Sequence, residues 1–173
     1  ETLQGNDANY NISDNWHLET ISGQAGIVAL NVENARIQNN HIYTNESLSN
    51  AAPGSVGIAL SGGGRNTVNC NVVNNTIPYS NIGTKGITLS GETNELGHNN
   101  LIYNNFIYDI RCTSNYGSAR LAGIQLWYQN NPKIYYNSVL LDGKGSTPAV
   151  SAALFIDYVS NNVIIKNNIL INI

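Results

Sequence analysis

Charge is what this chain has least of: Lys, Arg, Asp and Glu together make up 11% of its 173 residues, and the net charge is −3. The basic residues are scattered, with no patch of the kind that neutralises a run of phosphates, so nucleic acid is excluded as an expected partner. No apolar run approaches the roughly 20 residues that a membrane helix needs, and membrane insertion is not expected either. Methionine is absent and cysteine is limited to Cys70 and Cys112, too few for a disulfide framework or a thiolate metal site. Two thiols are the expected state, with a Cys70–Cys112 bridge as the alternative in an oxidising compartment. No Asn-Gly pair occurs although the chain holds 30 Asn and 16 Gly, which argues against tight two-residue hairpins. No metal-ligand cluster, Gly-rich phosphate loop or nucleophile elbow stands in the sequence, so neither a metal nor a cofactor is expected. No ten-residue stretch carries a helical apolar stripe, and almost no helix is expected.

Asparagine is what the chain has instead, and it is periodic. The pattern Asn-x-x-(Ile/Val)-x-x-Asn-x-(Ile/Val) occurs five times. Its copies are Asn34, Ile37, Asn40, Ile42; Asn69, Val72, Asn75, Ile77; Asn99, Ile102, Asn105, Ile107; Asn131, Ile134, Asn137, Val139; and Asn161, Ile164, Asn167, Ile169. A partial copy at Asn9, Ile12, Asn15 places His17 in its last slot. Ahead of each full copy stands a block with apolar residues two apart, the period of a strand: Gly26-Ile27-Val28-Ala29, Gly57-Ile58-Ala59-Leu60, Gly86-Ile87-Thr88-Leu89, Gly123-Ile124-Gln125-Leu126 and Ala153-Leu154-Phe155-Ile156. The runs starting at Ser61 and Ser90 lengthen two copies and are expected as outward loops. Sandwiches and antiparallel barrels also have short strands, but they do not require the same residue in the same slot once per coil. A solenoid does, because each coil stacks on an equivalent coil about 4.8 Å away.

The expected fold is therefore all-β: one domain over residues 1–173, a right-handed parallel β-helix of about six coils. The Gly-Ile-x-Leu and Asn-x-x-Ile-x-x-Asn-x-Ile runs resemble the parallel β-helix repeats of the pectate-lyase-like superfamily over residues 9–173. That resemblance implies three strands per coil, Asn ladders at the turns, an extracellular or cell-surface location, and polysaccharide as frequent ligand or substrate. The chain starts at Glu1 without Met and ends in the apolar run Ile169–Ile173, as expected of a mature product or of a segment of a longer solenoid.

Turns in such a coil leave backbone N–H and C=O groups to be paired at the same place in every layer. An Asn amide carries both a donor and an acceptor and tolerates left-handed backbone. One ladder is expected at Asn34, Asn69, Asn99, Asn131 and Asn161, and a second at Asn40, Asn75, Asn105, Asn137 and Asn167. The Ile/Val slots are expected as stacked interior columns, and His41 and His98 as solvated side chains. Two outward rows, containing Tyr103, Tyr135 and Ile165 and Tyr43, Tyr108, Leu140 and Leu170, form apolar strips expected to serve as a contact surface.

For catalysis, two carboxylates about 5–9.5 Å apart would have to sit in like slots of neighbouring coils, and none do. The best charged constellation is Asp109, Arg111, Arg120 and Lys133, with Asp109, Arg120 and Lys133 as the candidate catalytic residues. Beside it Trp127, followed by Tyr128, is placed to stack on a sugar ring; the plainer reading of this group, a surface aromatic among solvated charges, is preferred. The leading expectation is a non-enzymatic structural or adhesive protein whose partners are copies of itself, stacked end to end into fibres. The alternative is a carbohydrate-active protein: a polysaccharide lyase or hydrolase, or a glycan-binding module.

Overall fold

The computed structural model describes residues 2–4, 11–14, 17–20, 26–30, 32–44, 55–61, 70–73, 75–77, 83–93, 95–108, 110, 120–141 and 150–173. Among these residues the chain is all strand and turn, with no helix. It is a parallel β-solenoid with three principal sheets, each of six strands. The first joins Thr2–Gln4, Ile27–Leu30, Ser55–Ser61, Gly83–Ser90, Arg120–Trp127 and Val150–Asp157. The second joins Asn11–Asp14, Arg36–Gln38, Asn71–Val73, Leu101–Tyr103, Lys133–Tyr135 and Ile164–Lys166. The third joins His17–Thr20, His41–Thr44, Thr76–Ile77, Phe106–Tyr108, Ser138–Leu141 and Ile169–Asn172. About three coils, rather than the six expected, are described almost without a break: 83–108, 120–141 and 150–173. Toward the N-terminus, strands of the same three sheets are placed between segments outside the described residues.

The parallel register explains the repeated slots. Ile37, Val72, Ile102 and Ile134 lie in one column of the second sheet, and Ile27, Ile58, Ile87 and Ile124 in one column of the first. All eight are fully buried. Each such side chain contributes about 1.5–3 kcal/mol of transfer free energy, so the columns are the main driving force for stacking. Gly57, Gly86 and Gly123 precede these first-sheet columns, and the space beside them is already filled. A Cβ on Gly86 would lie 2.7 Å from both Ile107 Cγ2 and the Gly123 carbonyl oxygen, and one on Gly123 would overlap Val139. The Gly of the Gly-Ile-x-Leu block is thus required by packing across the coil.

The second Asn row is a hydrogen-bonded ladder running from Asn40 to the last coil. Asn40 Nδ2 donates to Asn75 Oδ1 (2.8 Å), Asn75 to Asn105 (3.0 Å), Asn105 to Asn137 (2.9 Å) and Asn137 to Asn168 (3.0 Å). Backbone N–H groups of Asn40, Asn75, Asn105 and Asn137 donate to the same oxygens, so each Asn pairs the turn of the coil before it.

Three sequence expectations need correction. In the last coil the ladder residue is Asn168, not Asn167, and Ile134 pairs with Ile165 rather than Ile164. The cause is one extra residue at the preceding corner: Trp127 pairs with Asp157 and Asn130 bridges to Asn161, three steps on one coil against four on the next. The surplus is taken up at Tyr158–Ser160, where the Ser160 N–H donates to the Tyr158 carbonyl at 2.9 Å.

The first Asn row is a row of left-handed turn residues and not a buried ladder. Asn34, Asn99 and Asn131 have φ of 54°, 54° and 53°, and Asn162, at 52°, takes the place expected for Asn161. Asn34, Asn99 and Asn162 are exposed, and the Asn131 to Asn99 amide contact is long, at 3.3 Å. Asn69 lies outside the described residues. The buried amide at this corner is the next residue, Asn100. Its Oδ1 accepts from the Cys70 N–H at 2.9 Å, and its Nδ2 donates to Gln129 Oε1 at 3.0 Å.

The outward rows also end differently. Tyr103 pairs with Tyr135 and then Lys166, while Tyr108 pairs with Leu140 and then Ile171. Ile165 and Leu170 instead continue the interior columns of Ile134 and Val139. They are 43% and 38% exposed because no described coil covers them. Tyr43 lies on the strand His41–Thr44, its side chain outside the described set.

Candidate functional site

The corner after the first sheet gathers the most unusual side chains. Trp127 ends the strand Arg120–Trp127, Asp157 stands beside it one coil on, and Tyr128 and Tyr158 follow them. Both tyrosines adopt left-handed backbone, with φ of 51° and 56°. Elsewhere in the described solenoid this conformation falls to Asn, with Tyr136 at 56° the one further exception. A bulky L-residue there is strained at a cost of about 1–2 kcal/mol, and such strain collects at functional positions.

The rings form one cluster. Tyr128 and Tyr158 stack with centroids 4.9 Å apart at 18°, and Tyr158 meets the edge of Trp127 at 5.5 Å and 87°. Lys85 Nζ lies 5.0 Å from the Trp127 ring centroid, a cation–π contact worth about 0.5–2 kcal/mol. Trp127, the sugar platform of the sequence reading, is therefore engaged by neighbours, and the open ring is Tyr158, 58% exposed. Gln129 ties the corner down: its Nε2 donates to the Trp127 carbonyl at 3.1 Å and its N–H to Ser160 Oγ at 3.3 Å. Along the edge runs a short outward loop, closed by reciprocal backbone bonds between Glu92 and Glu95 and joined to the corner by the Gly91 N–H donating to the Trp127 carbonyl.

A second aromatic group lies where the second sheet turns into the third. Tyr103 meets Tyr136 edge-on at 5.5 Å, Phe106 lies 4.7 Å from Tyr108, and Leu140 is exposed nearby in the row of Tyr108.

The charged constellation is not assembled among the described residues. Asp109 and Arg111 lie outside them. Arg120 opens a strand of the first sheet, its side chain outside the described set, whereas Lys133 is exposed at the start of a second-sheet strand, beyond the corner. No described group of His, Cys, Asp and Glu is arranged to hold a metal ion. Cys70 is buried with Sγ 3.4 Å from the Val32 carbonyl; Cys112 lies outside the described residues. His98 Nδ1 stands 3.3 Å from Asn130 Nδ2. No described helix is long and apolar enough to cross a membrane.

Sequence reasoning named Trp127 and Tyr128 but missed Tyr158. The signal was present: counted from the Ala153-Leu154 block rather than from the Asn motif, Tyr158 falls opposite Tyr128.

The fold and its side-chain ladder define the class as a parallel β-solenoid, or β-helix. No protein-family model, curated protein or solved structure matches the chain.

Proposed function

We propose that this chain is a non-catalytic, adhesive β-helix of an extracellular or cell surface, related to the pectate-lyase-like superfamily, that holds polysaccharide on the corner built by Trp127, Tyr128 and Tyr158. The observation that carries this reading is two stacked outward tyrosines in a backbone conformation for which the rest of the described solenoid, Tyr136 apart, uses asparagine. Their aromatic faces are kept at a cost in stability, and aromatic rings are the side chains on which sugar rings stack. The weakly charged surface supports a ligand held by stacking and hydrogen bonds rather than by ion pairing.

Replacing Tyr158 by Asn separates binding from folding, because Asn suits the same turn. The variant is expected to melt at or above the wild-type temperature while its affinity for polysaccharide, measured by co-sedimentation or calorimetry, falls at least tenfold. Unchanged affinity, or a wild type that binds none of a panel of neutral and acidic polysaccharides, would remove the reading.

Self-association is the second reading, favoured by the direction of the Asn ladder. Asn168 donates to the Ile134 and Lys166 carbonyls at 2.8 and 3.0 Å, and an Asn of one more stacked coil would add the bond that Asn137 makes. That coil comes either from further chain or from a second copy. Fibres in electron micrographs of the natural-length protein support the second copy; a monomer at high concentration excludes it.

A further inference from the structure

Charge is sparse in this chain, but on the outer face of the second sheet it is of one sign. Arg36, Lys133 and Lys166 stand on strands of that sheet and are exposed, and no Asp or Glu occurs on its five strands from Arg36–Gln38 to Ile164–Lys166. Asp14, on the strand before them, lies three coils from Tyr103. Ile134 is the buried, inward residue of the strand Lys133–Tyr135, so Lys133 and Tyr135 point outward. Lys166 is the register partner of Tyr135. The two lysines are therefore one coil and two residues apart, about 8 Å between Cα atoms.

Beside them stands an aromatic pair that the turn itself does not need. Tyr136 takes, in register, the left-handed slot that Asn39, Asn104 and Asn167 fill on other coils, with φ of 56° against 57°, 51° and 54°. Asn suits that slot better than a bulky residue, so the ring answers to something other than the turn. The Tyr136 N–H donates to the Lys166 carbonyl at 3.1 Å, which holds the tyrosine against the lysine strand. Its ring meets Tyr103 edge-on at 5.5 Å, and the two side chains are 50% and 36% exposed.

Open rings take the apolar face of a sugar, with the tyrosine hydroxyls left to its polar rim, and ammonium groups pair with anions as point charges. A neutral sugar would leave both lysines unused, a bare polyanion would leave the rings unused, and the apolar face of a second copy would bury two ammonium groups. We propose that Tyr103, Tyr136, Lys133 and Lys166 form a second carbohydrate site, which takes a sugar polymer bearing carboxylate or sulfate groups. It is separate from the Trp127 corner: that corner follows the first sheet and this site follows the second. Exposed ion pairs are weak alone, so rings and ammonium groups act together.

Dextran and dextran sulfate share a backbone and differ in the anion, while alginate carries carboxylates in place of sulfates. The wild type is expected to bind dextran sulfate or alginate at least tenfold more tightly than dextran, and the tighter of the two names the anion. Tyr136→Asn is expected to keep or raise the melting temperature and to lose at least tenfold in affinity for that polymer. Replacing Lys133 and Lys166 together by Gln is expected to bring its affinity down to that of dextran. Arg36→Gln, on the same sheet three coils away, and Tyr158→Asn, at the other corner, are expected to leave it unchanged. A loss in Arg36→Gln equal to that of the lysine pair would show diffuse attraction and overturn the proposal. So would neither polyanion binding more tightly than dextran, or full affinity in Tyr136→Asn; if affinity is at the same time lost in Tyr158→Asn, the Trp127 corner stands alone. Self-association in sedimentation that Tyr136→Asn abolishes assigns the face to a second copy and also overturns it.

Discussion

Asn105→Leu is expected to destabilise the protein by on the order of 3 kcal/mol, seen as a large fall in melting temperature. Asn105 Oδ1 accepts from the Asn75 N–H at 2.9 Å and from Asn75 Nδ2 at 3.0 Å, while its own Nδ2 donates to the Val72 carbonyl at 3.0 Å and to Asn137 Oδ1 at 2.9 Å. Leucine has nearly the same bulk but removes all four bonds, and each buried group left unpaired costs about 1–3 kcal/mol. Asn99, only six residues earlier in the same motif, gives the control. It is exposed and left-handed, so Asn99→Gly is expected to change the melting temperature little. Equal losses at the two positions would contradict the assignment of one row to a buried ladder and the other to turn geometry.

Gly123→Ala is the second substitution with a large expected effect, a loss of about 1–3 kcal/mol from overpacking. The added methyl would overlap Val139 and come within 2.7 Å of the Ala153 carbonyl oxygen. Shortening Val139 to Ala removes the side-chain overlap but not the carbonyl. The double variant is therefore expected to lose less than the sum of the two single losses, a coupling measurable by denaturant titration. Simple additivity would place the clash elsewhere. Ala153 occupies the equivalent register one coil on and is itself buried; no described coil sets a carbonyl over it there.

The interior of the solenoid was legible in the sequence because an inward slot admits only aliphatic side chains and recurs once per coil, as at Ile102, Ile107, Ile124 and Ile134. The buried ladder was legible for the same reason. What failed was register in the last coil, where counting from Asn161 overlooked the extra corner residue and turned Ile165 and Leu170 outward. Spacing between motifs cannot reveal which side of a corner takes up an insertion. The first row, Asn34 to Asn131, was expected to match the second, but its residues sit in left-handed turns with Asn34 and Asn99 exposed; a left-handed turn and a buried amide bond both select Asn, so residue type does not separate them. At the candidate site Trp127 and Tyr128 were legible as outward aromatics, since they follow a Gly-Ile-x-Leu block. The burial of Thr88 and Gln125 on the outer face of the first sheet was not, because alternation marks them as outward and says nothing of what lies over the sheet.

The central claim is that a polysaccharide is held at the Trp127 corner, and the fluorescence of that tryptophan tests it most directly. The chain has two tryptophans, so a Trp16→Phe variant, shown by circular dichroism to keep its β fold, leaves Trp127 as the single emitter. Titration with a soluble neutral polysaccharide is predicted to give a saturable change in Trp127 emission, with the same midpoint as binding measured by calorimetry and with no such change in Tyr158→Asn. Calorimetric binding with no change in Trp127 emission would contradict it.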